Sequence, residues 1–284
     1  MRRGDKSEAV RLLQQALVAA GHPLPRWGCD GRLGGETFDA LDALAEDLGL
    51  DGDQTPGDTV PEALRRLVFA QAALATRRLS VGESRVLDCR SSYGGPVSGQ
   101  RRWDQVDTIC LHQMAAKGPG GWRRWRDLAI HYAVCCDGTA AWLVDLTTRV
   151  SHGHGWNGRS VGLEIEGHYA GVEGRPETHW VPEEPSPSRK VPMVLAEGQV
   201  KAALDAIRHA VGRVAEHGGR IRYCVAHRQS YGDKVSDPGE AIWKRIALPA
   251  MLEHDLTGLP PIAHPKHPGR PIPEAWGGES GVPY

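Results

Sequence analysis

Apolar side chains at Val10, Leu13, Leu17 and Ala20 recur at spacings of three and four. They predict a helix over 7–20, capped by Asp5 or Ser7 and ended by Gly21. Phe38, Leu41, Leu44, Ala45 and Leu48 predict a second helix over 37–48, stopped by Gly49 and the Asp51-Gly52 turn. Leu64, Leu67, Val68 and Leu74 predict a third over 61–78. Asp30-Gly31 before Thr37, and Asp51-Gly52 before Gly57-Asp58-Thr59, pair a tight turn with a hydroxyl suited to cap the next helix. Residues 79–103 are polar, glycine-bearing and connector-like. Beyond them the period changes. The runs 107–113 (DTICLHQ), 130–136 (IHYAVCC), 140–146 (AAWLVDL), 161–167 (VGLEIEG) and 221–226 (IRYCVA) read as strands, the second and third forming a hairpin across Asp137-Gly138. Val200, Leu204, Ile207, Val211 and Val214 mark a helix over 195–216, and Ile242, Ile246 and Met251 one over 239–252. The fold class expected is α/β, a mixed β-sheet flanked by helices, preceded by a small three-helix bundle. The domains expected are 1–78 helical, 79–103 linker, 104–256 α/β, and a Pro/Gly-rich tail over 257–284, irregular or loosely docked.

Composition narrows this little. The 284 residues suggest about two domains at ~150 residues each. Lys+Arg 34 against Asp+Glu 35 leaves a net charge of −1, so no overall basic footprint for nucleic acid exists. No run of 18 apolar residues predicts a membrane span, and no secretory signal is visible at the N-terminus. The six cysteines form no CxxC pair and read as buried reduced thiols rather than a disulfide framework.

Candidate chemistry begins with the 13 histidines. His112 lies near the C-terminal end of one strand and His227 directly follows another. Asp237, ten residues later, sits in a Ser-Asp-Pro-Gly turn that can fold its carboxylate back. Two imidazoles and one carboxylate suit zinc with a fourth position open. Glu164, in mid-strand beside Glu166, is either part of a solvated polar face or a general base over a metal-bound water. His131 reads as a buried, hydrogen-bonded residue or a pocket wall rather than a fourth ligand. Trp outnumbers Phe nine to two. Trp122, Trp125, Trp156 and Trp180 stand in glycine- or arginine-bearing contexts, and Arg123, Arg124 and Arg126 could meet carboxylates. For GGWRRWRD the alternative is a helix with its indoles in the core.

The order Val10, Leu13-Gln14, Leu17, Gly21, Asp30-Gly-x-Leu-Gly-x-x-Thr37, Ala40-Leu41 closely resembles the three-helix peptidoglycan-binding domain, over roughly residues 4–75. ICLHQM (109–114), HYAVCCDG (131–138), HGHGWNGRSVGLEIEG (152–167) and AHRQSYGDKVSDPGEAIW (226–243) together resemble the zinc-dependent N-acetylmuramoyl-L-alanine amidase family, which shares its fold with peptidoglycan recognition proteins. This second resemblance spans about residues 104–254. It implies one Zn2+ ion on His112, His227 and Asp237, with Glu164 as the catalytic acid. It also implies cleavage of the amide between N-acetylmuramic acid and L-alanine of the stem peptide. Some members carry a lysine two residues before the third ligand. Here Val235 holds that position, and Lys234 either reaches the site by another loop path or is a surface lysine. The resemblance sets 151–157, with Trp156, beside the substrate groove, with His152 nearest the family's pocket histidine and His154 open as the alternative; Trp122, by its glycine- and arginine-bearing context, is a further candidate substrate contact. The partner expected is peptidoglycan, the chain a monomer acting on the cell wall by an unassigned export or phage-type release route. A non-catalytic recognition protein and an amidase for soluble muropeptides are the alternatives.

Overall fold

The structure is a computed structural model that describes residues 1–50, 55–68, 86–179 and 191–284. The expected Asp51-Gly52 stop, the end of the third helix, the start of the connector and Trp180 lie outside the described residues. The chain divides into two compact units, Met1–Glu83 and Ser84–Tyr284.

In the first unit, α1 (Glu8–Ala19) is capped by Ser7, whose side chain accepts from Val10 N at 3.2 Å. α2 (Gly35–Asp47) starts two residues before the expected Thr37. Gly34 is its N-cap, so Thr37 does not serve as the cap. The Thr37 hydroxyl is taken by Gln14 instead. Gln14 is buried at 1% exposure. Its Nε2 donates to Asp30 Oδ1 (2.9 Å), Arg32 O (3.1 Å) and Thr37 Oγ1 (3.0 Å), and its Oε1 accepts from Gly31 N (2.8 Å). One amide thus ties the Asp30–Thr37 loop to α1, and its donors and acceptor are partnered as a buried polar group requires. A third helical stretch, α3, covers 62–68. Val10, Leu13, Leu17, Leu33, Phe38, Leu41, Leu44, Leu64 and Val68 form one core.

The second unit is a mixed sheet with flanking helices. Its strands are β1 (Val86–Asp88), β2 (Gly99–Gln100), β3 (Thr108–Gln113), β4 (Tyr132–Val134), β5 (Ala140–Trp142), β6 (Thr148–Arg149), β7 (Ser160–Ile165) and β8 (Tyr223–Ala226). Six of them form a sheet in the order β1-β5-β4-β7-β3-β8, and β2 pairs with β6 in a small ribbon. Only the expected hairpin β4–β5 is antiparallel within the six. β1, β2 and β6 are two or three residues long, too short to leave a period in the sequence.

Alternation along the strands gives the two faces different work. Ile109, Leu111, Val161, Leu163, Ile165, Cys224 and Ala226 pack into the main core with Ala203, Ile207, Ala210 and Val214 of α4 (Glu197–Glu216). The C-terminal helix runs as α5 (Glu240–Ile242), a π-helical stretch Trp243–Ala247 and α6 (Leu248–Glu253). It adds Ile242, Trp243 and Ile246 to that core. The opposite face carries Cys110, His112, Gly162, Glu164 and Val225. No described helix is long and apolar enough to cross a membrane.

The tail 257–284 is irregular, as its composition predicts, but not loosely docked. Trp276 is fully buried in the main core, and Leu259 and Ile262 pack on Cys110, Trp156 and Val225. A few large apolar side chains suffice to seat a segment without regular structure.

Candidate metal centre and catalytic cleft

Strand register sets the centre. His112 on β3 stands opposite Glu164 on β7 in the parallel ladder, and Cys110 opposite Val225 on β8. His227, two residues beyond Val225, therefore emerges beside His112. The two Nδ1 atoms are 2.9 Å apart. Asp237 Oδ2 lies 2.9 Å from His227 Nδ1, and Asp237 Oδ1 accepts from Gln113 N at 3.0 Å. The turn that returns Asp237 contains a cis Asp237–Pro238 peptide.

His112, His227 and Asp237 offer three ligand atoms within 4.8 Å of one another. A proton can serve only one contact at His227 Nδ1, whereas a cation satisfies all three groups at once. Zn–N bonds of about 2.0–2.1 Å imply tetrahedral edges of roughly 3.3 Å, close to the spacings found. Burial, reinforced by His227 and His152, holds the His112 pKa well below its ordinary value, so the ring is in the neutral, ligating form. The donor set fits zinc.

Glu164 Oε1 is 3.8 Å from His112 Nδ1. Its Oε2 is buried with no hydrogen-bond partner among the described residues. Burial first, then the charge of Asp237, pushes its carboxyl up to about 8, against the lowering influence of Lys234. Glu166, two residues on, is spent on structure: it accepts from Gly118 N at 3.1 Å and Cys136 N at 2.8 Å. Neither glutamate belongs to a solvated face.

The outer nitrogens of both histidines are also held. His112 Nε2 is 3.0 Å from His152 Nδ1, and His152 Nε2 reaches Ser160 Oγ at 3.2 Å. His227 Nε2 is 2.9 Å from His154 Nδ1, whose ring stacks on Tyr231 at 4.1 Å. Such contacts fix ring orientation in metal sites. His152 is thus behind His112 and buried, with burial taking its pKa down to about 3. It is not among the residues that line the cleft on the metal group. His154, at φ +50°, stays exposed at the rim. A Cβ at Gly162 would stand 2.6 Å from the His152 ring, so glycine there makes room for it. Cys110, His112 and His152 form a second group of ligand atoms within the same span. All three are buried, and burial raises the Cys110 thiol well above its usual range, which disfavours the thiolate a metal needs.

A cleft of about 510 Å³ opens on the first group, lined by Gln113, Met114, Ala115, Ala116, Glu164, His227 and Asp233–Asp237. Lys234 is exposed and lines this cleft. Trp156 does not face it: its ring is buried against Cys110 and Val225. Trp122 packs, half-buried, on the cluster of Cys89, Trp125 and Ala133, under Arg123. Gln113 and Tyr231 do not stand out in the sequence. Both flank or sit inside the motifs, and only the fold shows that they hold Asp237 and His154.

No family model matches the chain. Over 64 residues it is 38% identical to a probable N-acetylmuramoyl-L-alanine amidase of Bacillus licheniformis, and 36% identical to N-acetylmuramoyl-L-alanine amidase CwlL of the same organism. Each match takes in 22% of this chain and 18% of the relative, so the chain spans less than a fifth of the length of the curated relatives it matches. Among solved structures it is similar to N-acetylmuramoyl-L-alanine amidase LysC from Clostridium intestinale (14% identity, 60% of this chain and 97% of that one, TM-score 0.39). It is also similar to the Drosophila peptidoglycan recognition protein SA (15% identity, 64% and 99%, TM-score 0.41). At these scores the functional reading rests on the cleft's own residues.

Proposed function

We propose that the protein is a zinc-dependent N-acetylmuramoyl-L-alanine amidase. It hydrolyses the amide joining the lactyl group of N-acetylmuramic acid to L-alanine of the peptidoglycan stem peptide. The observation that carries this is the meeting of His112, His227 and Asp237 beside a half-buried glutamate, one oxygen of which is buried with no partner among the described residues. The curated relatives' name gives the bond.

His112, His227 and Asp237 hold the ion. Bound there, zinc supplies Lewis acidity, making water available as a nucleophile near neutral pH and polarising the amide carbonyl. Glu164 accepts the proton of the attacking water and returns it to the leaving amine. His152 and His154 orient the two ligand rings. Lys234, on the cleft wall, is placed to meet the developing negative charge on the carbonyl oxygen. Met114, Ala115 and Ala116 shape the cleft wall. In this reading the first unit, 1–78, is a wall-binding domain joined by the linker 79–103 to the catalytic domain 104–256, and the protein acts on the wall as a monomer.

Mass spectrometry of digested sacculi, with and without a chelator, tests the proposal. Release of glycan free of peptide, with new L-alanine amino termini and loss of both under chelation, is the expected result. Zinc binding without any released amine would leave a recognition protein. Cleavage restricted to soluble muropeptides would leave a recycling enzyme.

A further inference from the structure

The loop 227–237 carries two of the three ligand groups, and the tail holds it along its length. Gln229 O accepts from Ile262 N at 2.7 Å, and Gln229 Nε2 donates to Leu259 O at 2.6 Å. Arg270 N donates to Arg228 O at 2.8 Å, and Arg270 Nε to Gly232 O at 2.7 Å. The backbones touch: a Cβ at Gly269 would collide with Gln229 O, and one at Gly232 with Pro268 O.

Arg228 links this seam to the metal centre. It follows His227 directly and is 1% exposed, unusual for a cation. Its N donates to Asp237 O at 3.0 Å and its Nη1 to Val235 O at 2.8 Å, so it closes the loop at both ends. Its guanidinium lies 4.9 Å from the Trp276 ring, and Trp276 is anchored by Nε1 donating to Gly171 O at 2.5 Å. Desolvated cation–π contacts of this kind are the stronger ones.

We infer that the tail is a working part of the metal centre: Trp276 sets the Arg228 side chain, the Arg270 side chain holds the same loop at Gly232 O, and Arg228 sets the His227–Asp237 spacing. These three are positioning residues. The inference rests on the metal reading above, and goes beyond it by assigning a role to a segment outside the amidase-like motifs.

The test uses the full chain and measures zinc affinity by chelator competition, the visible spectrum of the cobalt(II)-loaded protein, and far-ultraviolet circular dichroism. Arg228→Met and Trp276→Ala are expected to lower zinc affinity by about tenfold or more. They should also alter the cobalt spectrum while the dichroism is unchanged. Trp276→Phe, which keeps a ring beneath the guanidinium, should restore most of the affinity. Arg270→Ala changes an exposed residue, so it reports even if Trp276→Ala does not fold, and should show a smaller loss of the same kind. Unchanged affinity and cobalt spectrum in Arg228→Met and Arg270→Ala would overturn the inference. So would losses that merely track the unfolded fraction. Failure of the unaltered protein to bind zinc would instead overturn the metal reading itself, and this inference with it.

Discussion

Each unit places a polar side chain with buried polar atoms at a key position, and the two are treated in opposite ways. Gln14 in the helical unit has three acceptors for its amide nitrogen and a donor for its oxygen. Glu164 in the sheet unit has its Oε1 3.8 Å from His112 and its Oε2 buried with no partner among the described residues. A satisfied buried amide adds stability and fixes a loop. An unsatisfied buried carboxyl is a standing cost, tolerated where a reactant completes it. The contrast separates a group that holds the fold from a group that awaits a substrate.

The sharpest way to break this contrast is to remove the groups around Glu164. His112→Ala or His227→Ala should abolish stoichiometric zinc in metal analysis and lower amide cleavage by more than about 100-fold, since even outer partners of metal ligands count for 10–100-fold. Substituting the acid itself comes next. Glu164→Gln should keep zinc and lower kcat by about 10²–10⁴-fold, the range of general acid–base catalysis. Full turnover in that variant would remove Glu164 from the mechanism. Gln14→Ala should do the reverse. It should destabilise the helical unit by about 2–3 kcal/mol in denaturant unfolding, because Gly31 N–H loses its buried acceptor, while cleavage of a small soluble muropeptide stays unchanged.

The smallest effect concerns a half-buried histidine away from the cleft. His209 Nδ1 meets Tyr132 OH at 2.7 Å, and burial lowers its pKa. The unfolded chain then binds a proton that the folded one resists. Its contribution to stability is therefore present above the unfolded histidine value and lost as pH falls below it. His209→Gln should show a shallower loss of stability between pH 7 and 5 than the unaltered protein, measured by thermal unfolding. An identical pH slope would show that His209 contributes nothing to acid lability.

How much of the molecule is legible in its sequence follows from where periodicity is strong. DTICLHQ and VGLEIEG alternate cleanly, so the strands bearing His112 and Glu164 can be read from residue order alone. The hairpin at Asp137-Gly138 is legible from its turn chemistry. β1 is not, because three residues on a sheet edge leave no pattern. Thr37 misleads because a hydroxyl before a helix suggests a cap, and only the fold shows Gln14 reaching it across 23 positions. His152 and Trp156 lie in a glycine-rich loop whose path the sequence leaves open. The fold turns both inward, one behind a ligand and one into the core. Docking of the tail depends on single residues such as Trp276, whose partners stand far away along the chain.

The pairing of His112 with Glu164 across neighbouring parallel strands has a wider consequence. Their separation is an inter-strand spacing, about 4.8 Å, common to every sheet and indifferent to loop length. Insertions around the rim can therefore remodel which substrates are admitted while the acid and its neighbouring imidazole keep station. Selectivity and reactivity become traits that lineages can alter separately.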